Sequence, residues 1–227
     1  MMKKIITAIA ISLITLTVSA QELGFIGGGQ LNYGVINTLD QYATFDSRPG
    51  AGFHAGGMFE MNITNRWGFD VAAMYELRSM SWQMGYTSDT TTTFVRQLAY
   101  FNLPAHIFVD FPTQNYTFSL FGGPVFTCGL HGTDWAWENT DVQKPVTYQQ
   151  DYMFGEDGRV VRCEIAGEFG FAFKWNQMQL RVSYQHSFNN STLDRYDYTL
   201  SMEDDDQTYF TQGELKVSFA YLFDLRR

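Results

Sequence analysis

The sequence contains little proline and little charge, and beyond its first 20 residues it has no long apolar run. Of its 227 residues, 5 are proline and 17% are charged, whereas about 25% are charged in an ordinary globular domain. Because a membrane-spanning helix needs roughly 20 apolar residues in succession, a helical membrane protein is excluded. The chain has instead 20 glycines and an aromatic content of 17%.

Catalytic and metal-binding motifs are also missing. The sequence has no GxSxG, P-loop or HExxH pattern. Its four histidines, His54, His106, His131 and His186, lack the spacing of metal ligands. We therefore predict no metal, no cofactor and no enzymatic activity.

The first 20 residues are predicted to be a secretory signal peptide. Lys3 and Lys4 precede a mostly apolar run from Ile5 to Val18, and small residues stand before Gln21. No cysteine lies near the expected cleavage point, which argues against a lipoprotein. We expect one exported domain, residues 21–227, with a formal charge of about −11 from 24 acids and 13 bases. This charge disfavours nucleic-acid binding through a basic face.

Apolar residues recur at every second position over long stretches, which is the periodicity of β-strands. From Phe94 to Phe111 the odd positions are mostly apolar, and the even positions include Arg96, Asn102 and Asp110. Segments 67–80 and 161–175 alternate in the same way. The sequence therefore predicts an all-β fold.

Eight strands are predicted, at 23–34, 50–63, 67–84, 94–111, 116–130, 159–175, 178–188 and 209–223. The connections alternate between tight turns, at 64–66, 112–115 and 176–177, and long loops, at 35–49, 85–93, 131–158 and 189–208. An even number of long antiparallel strands with this alternation is typical of an up-and-down transmembrane β-barrel, with short periplasmic turns and long extracellular loops. We interpret Pro104 and Pro124, which cannot donate to a strand ladder, as bulge positions.

A soluble, lipocalin-like barrel has the same period, so the volume of the side chains must decide between the two. Eight strands enclose a narrow interior. The apolar face holds most of the bulky residues, and the other face is rich in glycine, alanine and serine. Large residues outside and small ones inside favour the membrane barrel, in the outer membrane.

The polar face carries nearly equal numbers of acids and bases. We predict that they form an ion-pair network that plugs the lumen, with a narrow or gated porin-like channel as the alternative. The predicted network consists of Glu60, Asp70, Glu76, Arg78, Arg96, Asp110, Arg162, Glu164, Glu168, Lys174, Arg181, Glu214 and Lys216.

The four predicted loops are acidic, with net charges of −1, −1, −5 and −5 in chain order. The run Glu203–Asp206 lacks the spaced ligands and the turn glycine of a calcium loop, so we interpret it as solvated. The third predicted loop concentrates aromatic residues, and the candidates for surface binding among them are Trp135, Trp137, Tyr148 and Tyr152, with Phe154 beside them. Packing against the barrel rim is the alternative role for them.

Several segments together resemble a known family. Leu98–Pro104 resembles the L-x-Y-x-x-(I/L)-P fourth strand of PorT-like outer membrane β-barrel proteins, and Gly122–Pro124 and the aromatic Phe219–Phe223 are similar to that family's fifth and last strands. Gly24–Gly29 and Gly50–Glu60 are similar to its glycine-rich first hairpin. The resemblance implies a Gram-negative single-barrel outer membrane protein of mostly unassigned role, of the kind that is built by the barrel assembly machinery.

Two cysteines, Cys128 and Cys163, lie on the same predicted face of neighbouring strands and are a candidate disulfide. His186, at the outer end of the seventh predicted strand, is the candidate residue for an outer-leaflet lipid-modifying enzyme, although no serine partner can be assigned to it. We expect instead a non-enzymatic barrel that serves envelope structure or surface interaction. Its expected partners are outer membrane lipids, other envelope proteins or surface glycans.

Overall fold

The computed structural model describes residues 21–37, 44–87, 90–139, 148–150, 153–154, 160–189 and 209–225. The predicted signal peptide lies outside the described residues. The strands are β1 (Gln21–Asn37), β2 (Thr44–Asn62), β3 (Trp67–Thr87), β4 (Thr90–Pro112), β5 (Thr117–Asn139), β6 (Tyr148–Gln150), β7 (Cys163–Trp175), β8 (Met178–Ser187) and β9 (Tyr209–Asp224). The described residues contain no helix with the length and apolarity needed to cross a membrane.

Eight of these strands form a closed antiparallel ring. Each pairs with its neighbour in the chain, and β1 pairs with β9 from Glu22 opposite Asp224 to Asn37 opposite Tyr209. The short β6 pairs only with β5, at Asp134–Ala136. Closure leaves no free edge along the paired wall. The predicted eight-stranded up-and-down barrel is confirmed.

The connections differ between the two ends of the barrel, which we call the turn end and the loop end. The turn end holds the connections at 63–66, 113–116 and 176–177 together with Gln21 and Leu225, whose backbones are hydrogen bonded at 3.0 Å. Asn176 has a φ of 55° in the two-residue turn between β7 and β8. Asparagine tolerates this left-handed conformation, which such tight hairpins require.

Apolar side chains face outward, as the alternation predicts. Phe25, Ile107 and Phe169 are 70%, 63% and 63% exposed, whereas the charged residues Arg96 on β4 and Glu164 and Glu168 on β7 point inward and are buried. Large apolar residues also enter the lumen, among them Trp82, Phe108 and Phe121. These rings are exceptions to the small residues expected on the inner face, and they fill space that the charged side chains leave between them.

Several predicted loop segments are strands, which corrects our boundaries at the loop end. β3 runs to Thr87 and β4 begins at Thr90, so the predicted loop 85–93 is mostly strand, consistent with the β-propensity of its threonines. β5 continues to Asn139 beyond a bulge, where Ala99 pairs with His131 but Tyr100 pairs with Gly129. The extra residue is Leu130. After it the inward-facing positions of β5 have even instead of odd numbers, so the period-two pattern of the sequence is interrupted there.

The prolines do not mark bulges, which corrects a second interpretation. Pro104 pairs with Val125 and Ile107 with Gly122, so the register between β4 and β5 is the same on both sides of the prolines. The pairing of Ala105 and His106 with Gly123 and Pro124 is interrupted instead. Each proline removes one donor without inserting a residue.

Candidate functional site

The candidate site is the lumen, where side chains from all parts of the ring meet. Of the thirteen predicted network residues, ten are buried with at most 8% exposure. These ten are Glu60, Asp70, Glu76, Arg78, Arg96, Glu164, Glu168, Arg181, Glu214 and Lys216. They are arranged in four groups from the turn end to the loop end.

The first group closes the turn end. The ammonium group of Lys174 on β7 lies 2.7 Å from a carboxylate oxygen of Glu60 on β2 and also pairs with Glu22 on β1. Because β2 and β7 occupy opposite positions in the ring, the first pair crosses the lumen. Glu22 was not among the predicted lumen residues, since it lies next to the predicted cleavage point and outside the predicted strand.

The second group joins β3 to β8, which are also opposite each other in the ring. The guanidinium of Arg181 lies 3.1 Å from Asp70 and stacks 3.9 Å from the ring centroid of Phe121. His106 lies between two carboxylates, 2.8 Å from Asp70 and 3.7 Å from Glu168. The group combines ion pairing with a cation over an aromatic face.

The third group is centred on Arg78. Its Nε lies 2.6 Å from Glu76 and 2.8 Å from Glu214, and its Nη1 lies 3.4 Å from Glu164. Lys216 bridges two of the same acids, at 2.9 Å from Glu76 and 3.0 Å from Glu214. Strands β3, β7 and β9 are tied together here.

The fourth group lies near the loop end. Arg96 on β4 donates two hydrogen bonds to Asp134 on β5, at 2.8 and 2.7 Å, and stands 4.9 Å from the ring centroid of Trp82. Asp134 fell within the predicted third loop, 131–158, and that placement is wrong, since it lies on β5. The sequence does contain a sign that Asp134 faces the lumen, because the alternation of inward and outward positions resumes after Leu130, shifted by one residue.

A short segment between β5 and β7 covers the lumen above the third group. Met153, Phe154 and Val160 are buried against Leu98 and Tyr100, and the rings of Phe154 and Tyr100 are 5.5 Å apart. Gly129 makes room for this segment, since a Cβ atom there would lie 2.3 Å from the Phe154 ring. We call Met153, Phe154 and Val160 the inner cap.

Three predicted network residues differ from the other ten. Arg162 is exposed and donates to the backbone carbonyl of Phe154 at 3.3 Å, so its inclusion in the buried network is wrong. Asp110 is half-buried and accepts a hydrogen bond from Ser119 at 2.6 Å. Lys174 keeps 15% exposure of its side chain at the turn end.

The candidate surface-binding aromatics are only partly within the described residues. Trp135 and Trp137 lie on β5 opposite Val95 and Thr93, and Tyr148 begins β6, so their placement in a loop is wrong. Tyr152 lies outside the described residues. The alternation that resumes after Leu130 continues along β5 to Asn139, which is why Trp135 and Trp137 lie on a strand.

Room in the lumen is small, and metal ligands are not grouped there. A cavity between the second and third groups, lined by His54, Asp70, His106 and Glu168 among others, has a volume of about 10 Å³, enough for one water molecule. Within the described strands and turns, no group of three or more histidine, cysteine or acidic side chains has the geometry of a metal site. This cavity is therefore too small for a solute larger than water.

The two cysteines are direct cross-strand partners on β5 and β7. The amide of Gly129 donates to the carbonyl of Arg162 at 2.6 Å. The next pair, Cys128 and Cys163, therefore occupies a non-hydrogen-bonded position, where side chains approach closely. Their sulfur atoms are 3.3 Å apart. The pair is placed to be joined on oxidation with little movement.

We expect Cys128 and Cys163 to be joined in the exported protein. Alkylation of the denatured protein without reductant should then label no thiol, and after reduction it should label two. A bridge over 35 residues would stabilise the fold by about 3 to 4 kcal/mol in the chain-entropy model. A Cys128→Ser variant is the control, since it leaves one thiol that labels without reductant. Two labelled thiols in the unreduced wild type would contradict the bridge.

The apolar outer wall and the ion-paired polar lumen of this closed ring define a transmembrane β-barrel of the outer membrane type. The chain belongs to the family described as outer membrane protein beta-barrel domain, whose model matches residues 20–193. The protein is accordingly located in the outer membrane. A search of curated protein sequences gives no significant match.

Solved structures similar to this chain are other outer membrane barrels. Ail, the attachment invasion locus protein of Yersinia pestis, is 13% identical with a TM-score of 0.39, covering 90% of this chain and 100% of that one. OprG from Pseudomonas aeruginosa is 10% identical with a TM-score of 0.42, covering 91% and 97%. The outer membrane protease OmpT from Escherichia coli is 8% identical with a TM-score of 0.42, covering 91% and 98%. Because these relatives include an enzyme and proteins of other kinds at such low identity, they carry no argument about activity.

Proposed function

We propose that this protein is a non-enzymatic barrel with a closed lumen, which acts through its outer surface and its loops. The observation that supports this is the set of ion pairs between opposite walls, Lys174 with Glu60 and Arg181 with Asp70. A side chain that reaches across a narrow lumen and is paired there leaves no path beside it for a solute. The role of such a barrel is then structural or lies in surface interaction.

The proposed partners follow from the outer surface. The membrane lipids would contact the apolar wall, and the acidic loops, including the run Glu203–Asp206, would face envelope proteins or surface glycans. A net charge of −5 in residues 189–208 favours partners that are basic or that bind through divalent cations. We also propose that residues 1–20 are removed on export and that the barrel is PorT-like, built by the barrel assembly machinery.

An outer-leaflet enzyme centred on His186 is less well supported. His186 faces outward and stacks on Tyr184, with ring centroids 6.3 Å apart. The flanking serines of the same strand, Ser183 and Ser187, face the lumen and are buried. A histidine activates a serine only within hydrogen-bonding reach, and these two serines lie on the opposite face of the strand.

Conductance of the purified protein in a planar bilayer tests the proposal against a channel. We expect the wild type to be silent, because the ion-pair groups close the lumen below the inner cap. Phe154→Ala is the matched variant, since it removes the largest side chain of the inner cap and leaves the four groups intact. It should be silent too.

The two recordings separate three outcomes. Steady openings of the wild type would overturn the proposal in favour of a narrow channel. Openings of Phe154→Ala alone would show a channel that the inner cap gates. Silence of both proteins, with a porin in the same bilayer as a positive control, is the expected result.

A further inference from the structure

The third lumen group holds more carboxylates than cations. Glu76, Glu164 and Glu214 face Arg78 and Lys216, and all five side chains are at most 2% exposed. If every acid were ionised, the group would carry one uncompensated negative charge away from water. A buried charge of this kind is costly, and a carboxyl group avoids the cost by keeping its proton.

Glu76 has the surroundings of an ionised carboxylate. Its Oε1 accepts from Arg78 at 2.6 Å and from Gln30 at 3.1 Å. Its Oε2 accepts from Lys216 at 2.9 Å and, by a short bond, from Asn102. These four donors occupy the four acceptor positions of a carboxylate. A proton on Glu76 would displace one of them.

Glu214 has the opposite surroundings. Its Oε1 receives one donor, Gln185, at the long distance of 3.5 Å, and its buried Oε2 has no hydrogen-bond partner. The single N–H of Arg78 Nε, although 2.8 Å from Glu214, points to Glu76. Lys216 donates to Glu76 and Gln185 and only lies near Glu214. An ionised Glu214 would lie within 3.0 Å of two cations that it shares with Glu76, and it would accept one long hydrogen bond.

We propose that Glu214 is a proton-binding site, a neutral carboxylic acid held in the lumen beside the ionised Glu76. The proton makes the group neutral, with two acids ionised against two cations. It also removes the negative charge from a carboxyl group whose Oε2 has no hydrogen-bond partner. Because the side chains of the group are at most 2% exposed, exchange of the proton with bulk water requires the lumen to open.

The other titratable groups around the site do not supply the missing charge. His54 on β2 is bonded through one nitrogen to Gln30 and through the other to Ser218, which satisfies the neutral imidazole. Arg96 on β4 is paired with Asp134 on β5. On β7, Glu168 faces His106. The phenol of Tyr100 lies under Arg78, and the neighbouring side chains of β1 and β8 are the amides Gln30 and Gln185.

Infrared spectroscopy of the folded barrel at neutral pH tests the proposal directly. A protonated carboxylic acid has a carbonyl stretch above the amide band, and labelling of glutamate carboxyls with carbon-13 shifts that band and separates it from aspartic acids. We expect a labelled band in the wild type that Glu214→Gln removes. The exposed Asp46→Asn is the control that keeps it. No labelled band in the wild type, or one that persists in Glu214→Gln, would overturn the proposal.

A comparison of two glutamines gives a second test. Glutamine is a neutral isostere of glutamic acid, so Glu214→Gln should fold and unfold at nearly the wild-type denaturant midpoint, whereas Glu76→Gln should lower the midpoint. The stability of the wild type should fall as the pH rises above the range in which an ordinary glutamate ionises, because the unfolded chain then releases the proton that the folded Glu214 keeps, and Glu214→Gln should lack this loss. Failure of Glu214→Gln to fold while Glu76→Gln folds would overturn the assignment.

Discussion

Replacement of Arg78 by methionine is expected to lower the free energy of unfolding by about 3 to 5 kcal/mol. Arg78 is fully buried and lies within 3.4 Å of Glu76, Glu164 and Glu214. Methionine fills much of the same volume but leaves the acids with Lys216 as the nearest cation. Denaturant unfolding in detergent micelles, followed by tryptophan fluorescence, measures the change.

The matched control is Arg48→Met. Arg48 lies on β2 and pairs with Asp46 at 3.6 Å, with the two side chains 58% and 69% exposed. An exposed pair of this kind contributes about 0 to 1 kcal/mol, so the control should unfold close to the wild type. Equal losses in the two variants would show that the Arg78 cluster does not stabilise the barrel through buried pairing.

A lysine at position 107 is expected to cost about 2 to 4 kcal/mol, because it would place an ammonium group near the middle of the lipid-facing band. Ile107 is 63% exposed on the outer wall of β4, between the exposed Phe101 and Phe111. Folding efficiency into lipid vesicles and the unfolding midpoint should both fall. The electrophoretic mobility shift of folded barrels provides the first measurement.

Gln97→Lys tests whether the loss of stability expected for Ile107→Lys comes from the depth of the lysine in the membrane or from its charge alone. Gln97 lies on the same strand and faces the same side as Ile107, ten residues nearer the loop end, opposite Ser79 and Thr133. We expect this lysine to be tolerated, since it stands beyond the apolar band. If both lysines were equally harmful, the assignment of the band on β4 would be wrong.

The inward and outward faces could be predicted because a strand has an exact period of two. This one rule assigned Ile107 to the lipid and Asp70 to the lumen without knowledge of any partner strand. It failed where the chain inserts an extra residue, at Leu130 on β5 and between Pro49 and Phe53 on β2. Because the parity shifts at Leu130, the predicted strand ended there and Asp134 was placed in a loop.

The partners within the lumen could not be predicted from the sequence. Lys174 meets Glu60 across the ring at a height that depends on strand tilt and on the register of every intervening pair. Packing against the rim was the alternative for the aromatics of the third predicted loop, but the insertion of Met153 and Phe154 into the lumen had no signal, since a connection that folds into a lumen has no fixed period. The sequence indicated an ion-pair network but not which acid would stand beside Arg78.

The pairing of β1 with β9 has a consequence for the order in which the barrel folds. These strands are at opposite ends of the chain, so joining them closes a loop of nearly the whole domain, and the entropy cost of that closure places it late. Strand β9 carries Glu214 and Lys216, which complete the third lumen group. Until β1 pairs with β9, Arg78 and Glu76 lie in an apolar environment without the partners that β9 supplies. Partly folded barrels are therefore of high free energy. The pairing of β1 with β9 and the assembly of the third lumen group are one cooperative step.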